Sequence, residues 1–149
     1  MADITYKAEY NTLASIFNTG WVTVPAEEGE ESEPLSPVQY ENLPYTPVTG
    51  TKWARFTVIS GEASQASIGA PGSNYYRYTG TVQIQCFAPL NMGAAGAKDL
   101  ADKAIGIFHN KVQSGYIFRA GYAVTVPNST AAGWYQVNAI IPYWRESIK

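Results

Sequence analysis

Charge is what this chain of 149 residues has least of. Asp, Glu, Lys and Arg make up 15% of it while 46% is hydrophobic, against about 25% charged residues in an average globular domain. Tyr, Thr, Ser, Asn, Gln and Gly stand in for the missing ions. A surface of that kind can be covered without desolvating many ions, so it suits contact with other protein. There is one cysteine, Cys86, which excludes an internal disulfide framework and paired-cysteine metal sites. There is one histidine, His109, which leaves little for metal binding or acid–base work. No apolar run approaches the roughly 18 residues of a membrane-spanning helix. Asp3 and the residues around it lack the apolar stretch of a secretory signal, so the chain is expected to work without export. The triplet Asn128-Ser129-Thr130 is then a chance match to a glycosylation site.

The few charges are unevenly placed. Residues 1–50 carry eight acids and one base, residues 51–149 four acids and nine bases. The bases do not cluster and are not interleaved with aromatics, so nucleic-acid readout is not indicated. Five of the acids, Glu27, Glu28, Glu30, Glu31 and Glu33, fall in the segment PAEEGEESEPLSP. Such a stretch buries too little apolar surface to fold alone and reads as a mobile acidic loop at about 25–37.

The stretch FAPLNMGAAGAKDLADKAI, residues 87–105, raises the question of a phosphate loop. That loop needs two glycines five positions apart, followed directly by Lys and Ser or Thr. Here Gly93 and Gly96 are too close, Ala97 separates Gly96 from Lys98, and the acid Asp99 stands where a metal-binding hydroxyl belongs. The dinucleotide pattern fails as well, since Ala94 and Ala95 follow Gly93. The segment reads as a turn from a strand into a helix.

Periodicity supplies the architecture. Residues 4–17 place Tyr6, Tyr10, Leu13, Ala14 and Phe17 at helical spacing, with Asp3 as cap and Gly20 past the end. A short strand is expected at 38–42. Residues 52–61 alternate Ala54, Phe56 and Val58 with Trp53, Arg55, Thr57 and Ile59. After a small-residue loop at 61–74, residues 75–87 alternate Tyr76, Tyr78, Val82, Ile84 and Cys86 with threonines and glutamines. Tyr135, Val137, Ala139 and Ile141 alternate in the same way, and a strand at 116–126 has Phe118, Tyr122, Val124 and Val126 on one side. Neighbouring strand residues face opposite ways, so one sheet face is apolar. A helix at about 94–112, with Ala97, Leu100, Ala101, Ala104, Ile105, Phe108 and Val112 on one stripe, covers it, and the first helix adds a second stripe. The expected fold is α+β: a single domain with an antiparallel or mixed sheet and two helices on one face.

The opposite face is polar but nearly uncharged: Arg55, Thr57, Arg77, Thr79, Thr81, Gln83, Gln85, Gln136 and Asn138. Two explanations stay open. It is an ordinary solvated face with a Thr/Gln preference, or this face or its edges meet another subunit. Catalytic candidates are weak. His109 lies off the apolar stripe near a helix end, Cys86 points inward as a small hydrophobe, and Asp99 and Asp102 flank Lys98 and Lys103 in the first helix turns, which is favourable for the helix dipole. No catalytic residue, metal ligand or cofactor is called, and an enzyme is not expected.

The layout as a whole resembles a known family. A leading helix with a leucine and aromatics precedes VQYENLPYTP. A strand-loop-strand then ends in GTVQIQCFAPLNMGAAGAKDLADKAIGIF, and GYIFRA and GWYQVNAIIPYWRE follow. In this order the segments resemble the tail terminator, or tail completion, proteins of long-tailed bacteriophages over nearly the full chain. The resemblance implies a structural virion protein without chemistry. It implies a homo-hexameric ring on the head-proximal end of the tail tube that stops polymerisation of tube protein and offers a docking surface to head-completion or neck proteins. The chain would be assembled in the host cytoplasm and have no membrane contact. DNA would pass through the ring without specific binding, and the acidic loop is expected to face that lumen. The alternatives are another phage neck or tail-tube component, or a small-molecule binding domain or enzyme.

Overall fold

In the computed structural model the described residues are 4–22, 36–127 and 133–149. The acidic run 27–33, the Asp3 cap and the triplet at 128–130 lie outside them.

Helix α1 (Tyr6–Val22) presents Leu13, Phe17 and Trp21 at four-residue spacing, and all three are buried. Its end differs from the sequence expectation. Gly20 is inside the helix, because a Cβ there would stand 2.8 Å from two carbons of the Ile107 side chain. The glycine marks a close helix crossing, and Trp21 beyond it continues the buried stripe. Tyr6, expected on that stripe, is exposed.

Seven strands form one open sheet, mixed but mostly antiparallel: β1 (Val38–Gln39), β2 (Trp53–Gln65), β3 (Tyr75–Pro89), β4 (Val112–Gln113), β5 (Tyr116–Phe118), β6 (Tyr122–Val126) and β7 (Trp134–Ile148). The order is β1-β2-β3-β7-β5-β4, with β6 also paired to β7. Among the described residues only β1–β2 is parallel. The expected strand at 38–42 is reduced to two residues. Conversely β2 runs on to Gln65 through a register shift between Ser60 and Ala63, so the loop expected at 61–74 is shorter. Two local hydrogen bonds close that loop, Tyr75 N–H to Ser67 Oγ at 2.8 Å and Ser73 N–H to Ala70 C=O at 2.8 Å.

Helix α2 (Ala95–Phe108) buries Ala97, Leu100, Ala101, Ala104, Ile107 and Phe108. It ends earlier than expected, and Val112 is an exposed residue of β4. Both helices lie on the sheet face that carries Phe56, Val82, Ile84, Cys86, Val137, Ala139 and Ile141. Phe17 joins the layers, its ring centroid 5.0 Å from Phe56 and 6.4 Å from Phe108. A polar cluster lies within this apolar layer: Glu9 of α1 (2% exposed) accepts from Tyr143 Oη and from Arg145 Nη2, the latter at 3.1 Å.

The strand expected over 116–126 is broken. β5 and β6 pair with the same side of β7, but the register moves by one residue between Phe118↔Tyr143 and Tyr122↔Ile140. One extra residue in a strand reverses which face each later side chain takes. Phe118 therefore points into the core, while Tyr122, Val124 and Val126 join the helix-free face, correcting the expectation that all four share a side. Gly121 sits at this break, where a Cβ would lie 3.0 Å from Ile105 and 3.1 Å from Ile141.

Candidate functional site

The ladder registers place all nine predicted polar residues on the helix-free face, in rows across the strands. One row reads Arg55, Gln85, Asn138, Val124, and the next Thr57, Gln83, Ile140, Tyr122. Further rows hold Ile59, Thr81 and Pro142, then Thr79 with Trp144, then Arg77 with Glu146.

The two arginines of this face are engaged locally. Arg55 donates to Gln39 Oε1 at 3.0 Å and to Gln85 Oε1 at 3.2 Å, with its guanidinium carbon 5.4 Å from the rings of both Trp53 and Phe87. Arg77 bonds Glu146 at 2.9 Å and lies 4.1 Å over Trp144. Gln136 donates to Asn138 Oδ1 at 2.8 Å and is itself buried. In the centre, Thr57, Thr81, Gln83, Ile140 and Pro142 are half-buried and uncharged.

Period-two reading assigns Trp53 to this outward side and gives no sign of its burial. Trp53 and Phe87 are direct cross-strand partners whose rings stack at 4.1 Å and 15°. Tyr45 lies 5.3 Å from Trp53, and Trp134 approaches it edge-on at 6.0 Å. The face thus has an aromatic end capped by Arg55, a Thr/Gln centre and a Trp144–Arg77 end. The only sequence signal for the aromatic end is a pair of large rings at positions that alternation assigns outward.

The chemical candidates do not converge. Cys86 is fully buried, and burial pushes its thiol up to about 12. His109 is exposed at the end of α2, where its Nδ1 accepts from Gly121 N–H at 2.9 Å. Asp99 pairs with Lys103 at 3.3 Å one helical turn on, and Asp102 and Lys98 are exposed. Among the described residues no group of three or more His, Cys, Asp and Glu side chains is placed to hold a metal ion, and no helix is long and apolar enough to cross a membrane. A groove of about 810 Å³ runs between α1, α2 and the β4–β5 turn, lined by small polar residues such as Asn11 and Ser15 together with Lys103 and Lys111. Lys111 donates to the Gly106 carbonyl at 3.1 Å.

Such a fold, with two helices on one sheet face and a charge-poor second face, defines an α+β domain. The chain belongs to the phage tail terminator protein family: the model of the family described as "Phage tail terminator protein" matches residues 22–143. It is therefore a structural protein of the bacteriophage tail, from a family of virion components rather than enzymes. No curated protein matches the sequence. Seven chains of solved structures match; one of them is similar with a TM-score of 0.59 at 16% identity, with 97% of each chain covered, a likeness of fold alone.

Proposed function

We propose that the protein caps the head-proximal end of the tail tube as a closed ring of six copies, stops addition of tube subunits and presents a docking surface to head-completion or neck proteins. The observation that carries this reading is the helix-free face. Its centre is uncharged and half-buried in the single chain, Arg77 is ion-paired with Glu146, and Arg55 is hydrogen-bonded to Gln39 and Gln85, so the centre of this face can be covered with protein without desolvating an ion. Family membership supplies the tail setting, and of the nine polar residues named above the eight other than the buried Gln136 are the candidate contacts with other copies or with the tube end. The acidic segment Glu27–Glu33 faces the lumen in this reading, where like charge keeps passing DNA from adhering.

Electron microscopy of the purified protein with and without tail tubes tests it. Rings seated at one end of tubes of fixed length support the reading. A protein that polymerises into tubes by itself is a tube subunit instead. Within the ring reading, Thr81→Asp with Gln83→Asp reduces ring occupancy on tubes while the thermal melt of the free chain stays cooperative. Unchanged occupancy removes the face from the interface.

A further inference from the structure

The sheet has two bare margins. β6 (YAVTV) contains no charge, proline or glycine, pairs only with β7, and exposes Tyr122 and Val124 by 52% and 41%. Among the described residues no other backbone or side chain bonds its outer edge. At the opposite margin β1 covers β2 only at Ala54 and Arg55, and Glu41 accepts from Val58 N–H at 2.9 Å. Beyond that point residues 59–65 have no strand outside them among the described residues. Soluble proteins usually blunt such edges with lysine, proline, bulges or cover; β6 has none of these, whereas the 59–65 margin carries the register shift between Ser60 and Ala63 and one charge, Glu62.

We propose that β6 of one copy pairs, antiparallel, with the 59–65 edge of β2 in the next copy, head to tail around the ring; this rests on the ring reading above. Strand direction is the first support. β2, β3, β7 and β6 alternate in direction across the sheet. A sheet that continues into the next copy with its faces unreversed therefore sets β6 against an oppositely directed β2.

The offset between the margins is the second support. The centre of β6, Val124, lies in the row of Arg55, whereas the bare part of β2 is centred about six or seven residues further along. The margins do not meet if copies sit side by side without stagger. Closing a sheet requires a strand tilt of roughly 35–45°. Four strands at about 4.8 Å spacing then give a stagger of about 13–19 Å per copy, or roughly four to six residues. Taken toward Gln65, the direction this pairing requires, that displacement brings β6 onto the near half of the bare segment. A third point is symmetry. The two margins differ, so their contact is heterologous and closes by rotation, whereas β6 against β6 would be self-complementary and stop at two copies.

Cysteine cross-linking on tail tubes tests the seam. Val124→Cys is combined in turn with Ile59→Cys or Ser64→Cys, both on the helix-free face, and native Cys86 is too buried to compete. Mild oxidation is expected to yield a ladder of covalent multimers reaching ring size for one of the two pairs and for no single variant. Rings that form normally but cross-link in no pair overturn the seam and leave the ring standing. Dimers from Val124→Cys alone also overturn it, because they report β6–β6 contact. Absence of rings, free or on tubes, for the unmodified chain overturns the ring reading and the seam together.

Discussion

Arg145 and Glu9 are 136 positions apart in the chain, yet they form an ion pair at 3.1 Å in which the side chains are 1% and 3% exposed. Tyr143 donates to the other oxygen of the same carboxylate, so two residues of β7 hold one residue of α1. Arg145 also lies 4.2 Å over the Tyr78 ring. Breaking a buried pair leaves an uncompensated charge and costs about 3–5 kcal/mol, whereas replacing both partners by apolar groups is often close to neutral. Glu9→Ala is therefore expected to lose about that much stability in urea denaturation. The double change Glu9→Leu with Arg145→Met should lose clearly less than the sum of its singles. Additive losses would show that the pair is not coupled.

The same tyrosine fixes a second prediction. A Cβ at Gly80 would fall 2.5 Å from Tyr143 Oη and 2.6 Å from its ring carbon, so the strand needs glycine there to let the ring pass to Glu9. Gly80→Ala is expected to destabilise by about 1–3 kcal/mol, as overpacking does. Gly106 is the control. It lies in α2, where an added Cβ would have nothing within 4 Å and φ is not left-handed, so Gly106→Ala should stabilise by about 0.5–1 kcal/mol. Thermal melts of the two variants should move in opposite directions, and equal shifts would refute the packing account.

Stability should fall in alkali. Burial raises the Cys86 thiol from about 9 to about 12, and burial followed by the nearby Glu9 charge raises Tyr116 from about 10 to about 12. For a group whose folded value is raised, the stabilisation is complete below the unfolded value and is lost as pH rises through the folded one. For Cys86 the window runs from about pH 9 to 12, and its contribution across it is on the order of 4 kcal/mol. Denaturation midpoints measured from pH 8 to 11 should decline, and Cys86→Ala should flatten the lower part of the decline. A thiol reagent should label the native chain only as fast as it unfolds. Rapid labelling at pH 8 would contradict the burial.

The parts of this fold legible in the sequence are those set by local alternation. The inward residues of β3 and β7 and most of the α2 stripe follow from periods of 2 and 3.6, and so does the uncharged outer face. The signals fail where a distant partner decides the conformation. Gly20 resembles a helix stop, but it is glycine because Ile107 crosses there. The extra residue before Tyr122 cannot be seen by counting alternation, because the partner strand defines the bulge. Glu9 looks like a solvated helix acid until Arg145 arrives from the far end of the chain. Trp53 and Phe87 sit on the outward alternation, and it is their pairing in adjacent strands, with Tyr45, Trp134 and Arg55 packed around them, that buries them.

The acidic segment allows a prediction from its anchors. Trp21 Nε1 donates to the Ser36 carbonyl at 3.0 Å, so the chain on either side of residues 23–35 is already held together by the α1 core and the approach to β1. Shortening a connection between fixed ends changes the closure entropy only logarithmically, by about 0.6 kcal/mol for a halving. Removing residues 28–32 is therefore expected to leave a single cooperative melt within about 1 kcal/mol of the parent chain. Trp21→Phe, which removes the anchoring donor, should cost more than the deletion does. A deletion variant that loses its cooperative transition would show that these glutamates belong to the folded core. Two further comparisons on tail tubes bear on the lumen. Glu-to-Gln replacement at 27, 28, 30, 31 and 33 should leave ring seating unchanged but raise DNA retention in the presence of assembled rings. Equal retention would remove the lumenal role while leaving the cap intact.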